Sequence, residues 1–185
     1  MALEVDIRGM PKKIAMIIAF HDFRDEEYFI PKSVFSAEGI EVKTFSSKKG
    51  EALGSYGGVI KVDSTLDDLK VSDFDGIIFV GGSGAAKYIE DNKCHQIAQK
   101  AVSENKILAA ICIAPTILAR SGVLKGKKAT VWSSKIDKTT VKILTEEGAD
   151  YQKAPIVVDG NIVTAIGPQA ARKFAETITR ALKEE

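Results

Sequence analysis

A cysteine that ends an apolar run and opens a helix is placed for nucleophilic chemistry, and Cys112 in the stretch AAICIAP, residues 109–115, is such a residue. A nucleophile elbow strains the backbone between strand and helix, so the residues two positions either side must be small. Ala110 and Ala114 meet that need. The start of the following helix favours a thiolate, the reactive form of the side chain. Pro115 suits the first helical turn, where its missing N–H costs nothing. Acyl or carbonyl chemistry also needs two backbone N–H donors for a developing oxyanion. Ile113 supplies one, and the glycine turn VGGSG, with Gly81 and Gly82, is the candidate source of the second. Against this stands the plain alternative that Cys112 fills core space, as cysteine commonly does.

The partners of Cys112 are less clear from the residues. A histidine next door would be the natural base, and the neighbour is Ile113. His21 lies on the loop after the first apolar run, where it either reaches the thiol or is a solvated loop residue. Asp25, Glu26 and Glu27 follow it; they either complement a helix N-terminus or send one carboxyl across to the thiol. Cys94 sits beside His95 within a helical segment, and adjacent helical residues do not face one another, so Cys94 reads as packing.

These residues must be held by something, and the rest of the chain supplies a frame. Short continuous apolar runs, KKIAMIIAF, GIIFVGG and KILAAI, are the pattern of strands buried on both faces of a parallel sheet. Helical segments alternate with them: residues 21–39 with Gly39 as stop, 91–105 capped by Asp91 or Asn92, 114–122 closed by Gly122, 136–148, and 168–185. KATVWSS reads as a strand, and PIVVDGNIVTAIG as a hairpin turning at Asp159–Gly160. The expectation is one doubly wound α/β domain over residues 13–185, with a mainly parallel sheet and helices on both faces, preceded by a short arm at 1–12. In such sheets ligands sit beyond the carboxyl ends of the strands, which directs attention to the loops carrying His21, Gly81, Cys112 and Trp132.

Composition narrows the classes further. The 26 basic and 25 acidic residues leave a net charge of +1, which argues against a nucleic-acid partner. Two cysteines and two histidines are too few for a disulfide scaffold or a usual zinc site, so no metal is expected. No apolar run reaches bilayer length and no leader has an apolar core, so the expected setting is the cytoplasm, with no membrane partner.

Four motifs in order resemble the ThiJ/PfpI superfamily, whose fold is that of the class I glutamine amidotransferases. AAICIAPTILA resembles the family's cysteine elbow, and EYFIP its E-x-x-x-P segment, with Pro31 four residues after Glu27. FVGGSGA and IGPQAARKFA resemble its glycine turn and its Gly-Pro before the last helix. The resemblance spans residues 13–182. It implies that Cys112 is an oxidation-prone nucleophile, that Glu27 is a protonated carboxyl bonded to the thiolate, and that Gly82 and Ile113 supply oxyanion amides. It implies further a homodimer or higher homo-oligomer acting without a cofactor on small carbonyl compounds, glycated groups or peptides.

The chain departs from the family's pattern at the base. Protease-type members carry histidine where Ile113 stands, and deglycase-type members carry it where Trp132 stands. Trp132 either covers the pocket or packs on a neighbouring subunit. The expected activity is therefore a glyoxalase- or deglycase-like hydrolase or lyase reaction on small 2-oxoaldehydes or glycated groups, slowed by the missing histidine. The alternative is a redox-sensing or chaperone-like stress protein working through oxidation of Cys112. A peptidase is disfavoured, because amide cleavage most needs the absent general acid.

Overall fold

The computed structural model describes residues 9–184. Along the chain run β1 (Lys13–Ile17), β2 (His21–Phe23), α1 (Asp25–Ala37), β3 (Glu41–Ser46), β4 (Gly50–Gly54), β5 (Val59–Val62), β6 (Ser64–Thr65) and β7 (Gly76–Phe79). They are followed by α2 (Asn92–Ser103), β8 (Ile107–Ile111), α3 (Pro115–Arg120), β9 (Lys128–Ala129), α4 (Thr139–Glu146), β10 (Asp150–Tyr151), β11 (Ile156–Asp159), β12 (Ile162–Ala165) and α5 (Ala171–Lys183).

Seven strands make the central sheet, in the order β11-β12-β8-β7-β1-β3-β6, and every neighbouring pair is parallel except β11 with β12. Alternation along β1 explains why its apolar run is unbroken. Ile14 and Met16 face a core shared with Phe35 of α1 and Phe174 of α5, while Ala15 and Ile17 face one shared with Ile97 of α2 and Leu118 of α3. A parallel strand covered on both faces has no solvent side to mark with polar residues. The expected α/β fold with helices on both faces is what forms.

Strand order reverses at β1: the chain builds outward to β3 and β6, then returns to β7 on the other side. The crevice between the carboxyl ends of β1 and β7 is therefore the expected ligand position. The Asp159–Gly160 hairpin forms, with Gly160 at φ +58°. Asp91 caps α2 by accepting from the Cys94 N–H at 2.8 Å.

Two expectations need correction. The helix expected over residues 21–39 begins only at Asp25, because His21–Phe23 forms β2 in a small second sheet, β2-β4-β5. The strand expected over residues 128–134 shrinks to Lys128–Ala129. Beyond it the backbone turns to other partners: Thr130 N–H donates to Thr164 Oγ1 at 2.9 Å, and Trp132 N–H to the Cys112 carbonyl at 2.9 Å. Residues 1–8 of the expected arm lie outside the described residues. No helix among the described residues is long and apolar enough to cross a membrane.

Candidate active site

Cys112 follows β8 directly and stands at φ +64°, in the left-handed region. For a side chain other than glycine this costs roughly 1–2 kcal/mol, so the surroundings must impose it. They do so through its own peptide groups. Its N–H donates to the Ala165 carbonyl at 2.9 Å, and its carbonyl accepts from Trp132 N–H at 2.9 Å. The thiol thus stands half-buried at the sheet's carboxyl edge, with Ala114 and Pro115 turning the chain into α3.

The three acids that open α1 take three separate jobs. Asp25 accepts from the Tyr56 and Gly58 N–H groups at 2.9 and 2.7 Å, fixing the turn between β4 and β5. Glu26 pairs with the Arg24 guanidinium at 2.8 Å. Glu27 alone turns inward: it is fully buried, and its Oε2 accepts from Gly81 N–H at 3.0 Å. No nitrogen or oxygen donor among the described residues serves its Oε1; the Cys112 thiol is the group beside the carboxyl. Gly81 makes that approach work. A methyl group there would overlap the Glu27 carboxyl, the Cys112 Cβ (2.5 Å) and the Ile111 carbonyl oxygen (2.7 Å). Gly82, at φ +103°, presses as closely on the Asp22 and Arg24 backbone.

Burial raises the Glu27 carboxyl from 4.5 to about 7, although bonds from Cys112 and Gly81 offset part of the cost. Burial also pushes the Cys112 thiol up to about 12, and the negative charge of Glu27 adds to it. The Gly82 and Ile113 amides face the sulfur and pull the other way. Burial thus opposes the thiolate that the two amides and the start of the six-residue α3 favour. The pair cannot hold two negative charges near neutral pH. Its proton is shared between a carboxyl poised to titrate and a sulfur that reacts once it is lost.

A pocket of about 690 Å³ opens over this pair, lined by Glu27, Gly82, Cys112, Ile113 and Trp132. The structure therefore brings together five of the six residues singled out from the sequence. His21 is the exception. It begins β2, its exposed side chain packs edge-on against Phe20, and it lines a separate cavity with Tyr88 and Lys48. His95 lies on α2, its Nε2 2.6 Å from the Ile89 carbonyl oxygen. Neither histidine of the chain lines the pocket.

Sequence reasoning missed Arg24 and Tyr56, which wall the pocket opposite Trp132. The guanidinium carbon lies 4.5 Å from the Tyr56 ring centroid, and Nη1 donates to the Tyr56 hydroxyl at 3.2 Å. No local pattern marks Tyr56; it arrives only because Asp25 gathers the turn that carries it. Among the described residues no group of three or more His, Cys, Asp or Glu is arranged to hold a metal.

Comparison with known proteins places this site in a lineage. Residues 12–181 match the sequence profile of the DJ-1/PfpI family. The chain belongs to the DJ-1/PfpI family. An uncharacterised protein of Methanocaldococcus jannaschii is 40% identical over 93% of this chain and 83% of its own length. A deglycase of Pyrococcus horikoshii is 31% identical over 91% of this chain and 98% of its own. The crystal structure of a ThiJ/PfpI domain protein from Brachyspira murdochii superposes with a TM-score of 0.90 at 29% identity, covering 96% of this chain and 99% of that one. The DJ-1/PfpI assignment rests on the full length of the domain, so the elbow, the acidic start of α1 and the glycine turn belong to one family framework.

Proposed function

We propose that this DJ-1/PfpI protein is a cofactor-independent enzyme that uses Cys112 to attack the carbonyl carbon of small 2-oxoaldehydes or of glycated groups. The observation that carries the reading is the buried pairing of Cys112 with a carboxyl held at about 7, at the floor of an open pocket. A general base is most effective when its pKa lies near the working pH, and Glu27 meets that condition without a histidine.

The sequence of events uses only these groups. Glu27 accepts the Cys112 proton as the sulfur adds to the aldehyde carbon, forming the S–C bond of a hemithioacetal. The carbonyl π electrons move to oxygen, where the Gly82 and Ile113 amides stabilise the oxyanion until Glu27 returns the proton. For a 2-oxoaldehyde, a proton shift from C1 to C2 and hydrolysis of the resulting thioester by water give a 2-hydroxy acid and restore the thiol. Glu27 serves each proton transfer in turn. With Glu27 as the one acid–base group and no histidine lining the pocket, the rate is expected to fall about 10²–10⁴-fold short of a site with a second such group. The identity of a deglycase relative over nearly the whole domain supports the carbonyl class.

The deciding measurement is methylglyoxal consumption and lactate formation by the wild type and by Cys112→Ser. Wild-type turnover that vanishes in the variant supports the proposal. Equal rates, or no turnover by the wild type, overturn it.

A further inference from the structure

Trp132 is a wall with two sides. One faces the Cys112 pocket; the other faces an adjoining cavity of about 530 Å³. Gln169 lines both spaces as well, so the two adjoin at a shared boundary. The second cavity has a different chemistry. Lys135, Lys138 and Lys153 converge on it from two separate segments, with Ser133, Ser134 and Tyr151 as hydroxyl donors, and no acidic residue lines it. None of the three lysines forms an ion pair among the described residues, whereas Lys100, Lys127, Lys142 and Lys183 each hold a carboxylate partner. Asp137, the acid within the lysine loop, is turned to the start of α4, accepting from Thr139 N–H at 2.9 Å. All three side chains are exposed, and Lys138 Nζ donates to Ser133 Oγ at 3.4 Å, so an anion seated in the cavity would meet ammonium and hydroxyl donors together.

We propose that this annex is a substrate subsite for an anionic group, and that the preferred substrates are carbonyl compounds carrying a phosphate or carboxylate at the end remote from the reacting carbon. The inference rests on the carbonyl chemistry proposed for Cys112 and adds the class of molecule that chemistry serves. Trp132 and Gln169 form the saddle over which the substrate lies, with its carbonyl at the sulfur and its anion among the lysines. Lysine suits the task because an ammonium acts as a point charge toward either anion.

Matched 2-oxoaldehydes test this: methylglyoxal, hydroxypyruvaldehyde phosphate and 4,5-dioxovalerate, each assayed for conversion to its 2-hydroxy acid and for protection of Cys112 against iodoacetamide. The wild type is expected to favour the two anionic compounds over methylglyoxal. In Lys135→Gln/Lys138→Gln/Lys153→Gln that preference is expected to fall by roughly tenfold to a hundredfold, and raising the salt concentration should lower it in the wild type. A larger effect on the phosphate or on the carboxylate compound identifies the anion. Turnover of all three compounds without preference overturns the subsite and leaves the carbonyl chemistry standing. Lysine-dependent protection without turnover supports the subsite and overturns the enzymatic reading. Neither turnover nor protection overturns both.

Discussion

The chain's two cysteines, Cys112 and Cys94, share an element of their environment and differ in everything that makes a thiol useful. Burial drives the pKa of both upward, and each has a nearby acid that adds to the rise. Cys94 lies fully buried in the first turn of α2, its N–H bonded to Asp91 and its side chain among Ile97 and Ala98. Cys112 stands in a strained backbone conformation at the rim of a pocket, faced by two amides and by a carboxyl able to take its proton. A raised thiol pKa therefore says nothing by itself about function. What separates a nucleophile from packing is whether a proton acceptor of matched affinity and donors for the developing charge stand around it.

The comparison breaks first at Glu27. Replacing it with glutamine keeps an acceptor for Gly81 N–H but removes both the base and the negative charge. Turnover of methylglyoxal is expected to fall by about 10²–10⁴-fold, while alkylation of Cys112 by iodoacetamide at pH 8 becomes faster. A merely structural Glu27 would not move the two readouts in opposite directions, so a parallel loss of both would remove it from the mechanism.

Stability offers a smaller test of the same pair. Because the folded carboxyl titrates at about 7 and the unfolded one at 4.5, the folded state binds more protons between those values. Stability contributed by the protonated carboxyl is thus full below about pH 4.5, declines as pH rises to 7, and is level above. The decline amounts to about 3 kcal/mol at most. Urea midpoints measured from pH 4.5 to 8 should show this slope in the wild type relative to Glu27→Gln; superimposable pH profiles would mean that Glu27 is not buried as an acid. The smallest effect belongs to the other cysteine. Cys94→Ala leaves a small cavity in the core under α2, costing about 1 kcal/mol, with carbonyl turnover within about twofold of wild type. A large drop in turnover at normal stability would blur the distinction between the two thiols.

The frame of the molecule was readable where a strand is covered on both faces. The apolar runs of β1, β7 and β8 are too short for core helices and too continuous for half-exposed strands. The elbow was readable because Ala110 and Ala114 answer a local steric demand. Glu27 was not separable from Asp25 and Glu26 by residue type; family resemblance singled it out, and the structure shows three neighbouring carboxyls sent in three directions by the first turn of α1. His21 misled because loop position is a coarse guide. As the first residue of β2 its side chain is carried to another cavity, a consequence of the small sheet that the polar β4 sequence concealed. The sequence leaves Trp132 between covering the pocket and packing on a neighbouring subunit; in the fold it lines two cavities at once.

The elbow is stitched to the chain on both sides of its own peptide unit, to Ala165 and to Trp132. Those partners lie 53 and 20 residues further on in sequence, and the acid that completes the pair lies 85 residues back. During synthesis the thiol therefore emerges long before the groups that hold it in its reactive posture. Until β12 has joined the sheet beside β8, Cys112 is an ordinary cysteine in a relaxed backbone. The constellation around the sulfur is thus a property of the completed sheet, not of the elbow segment alone.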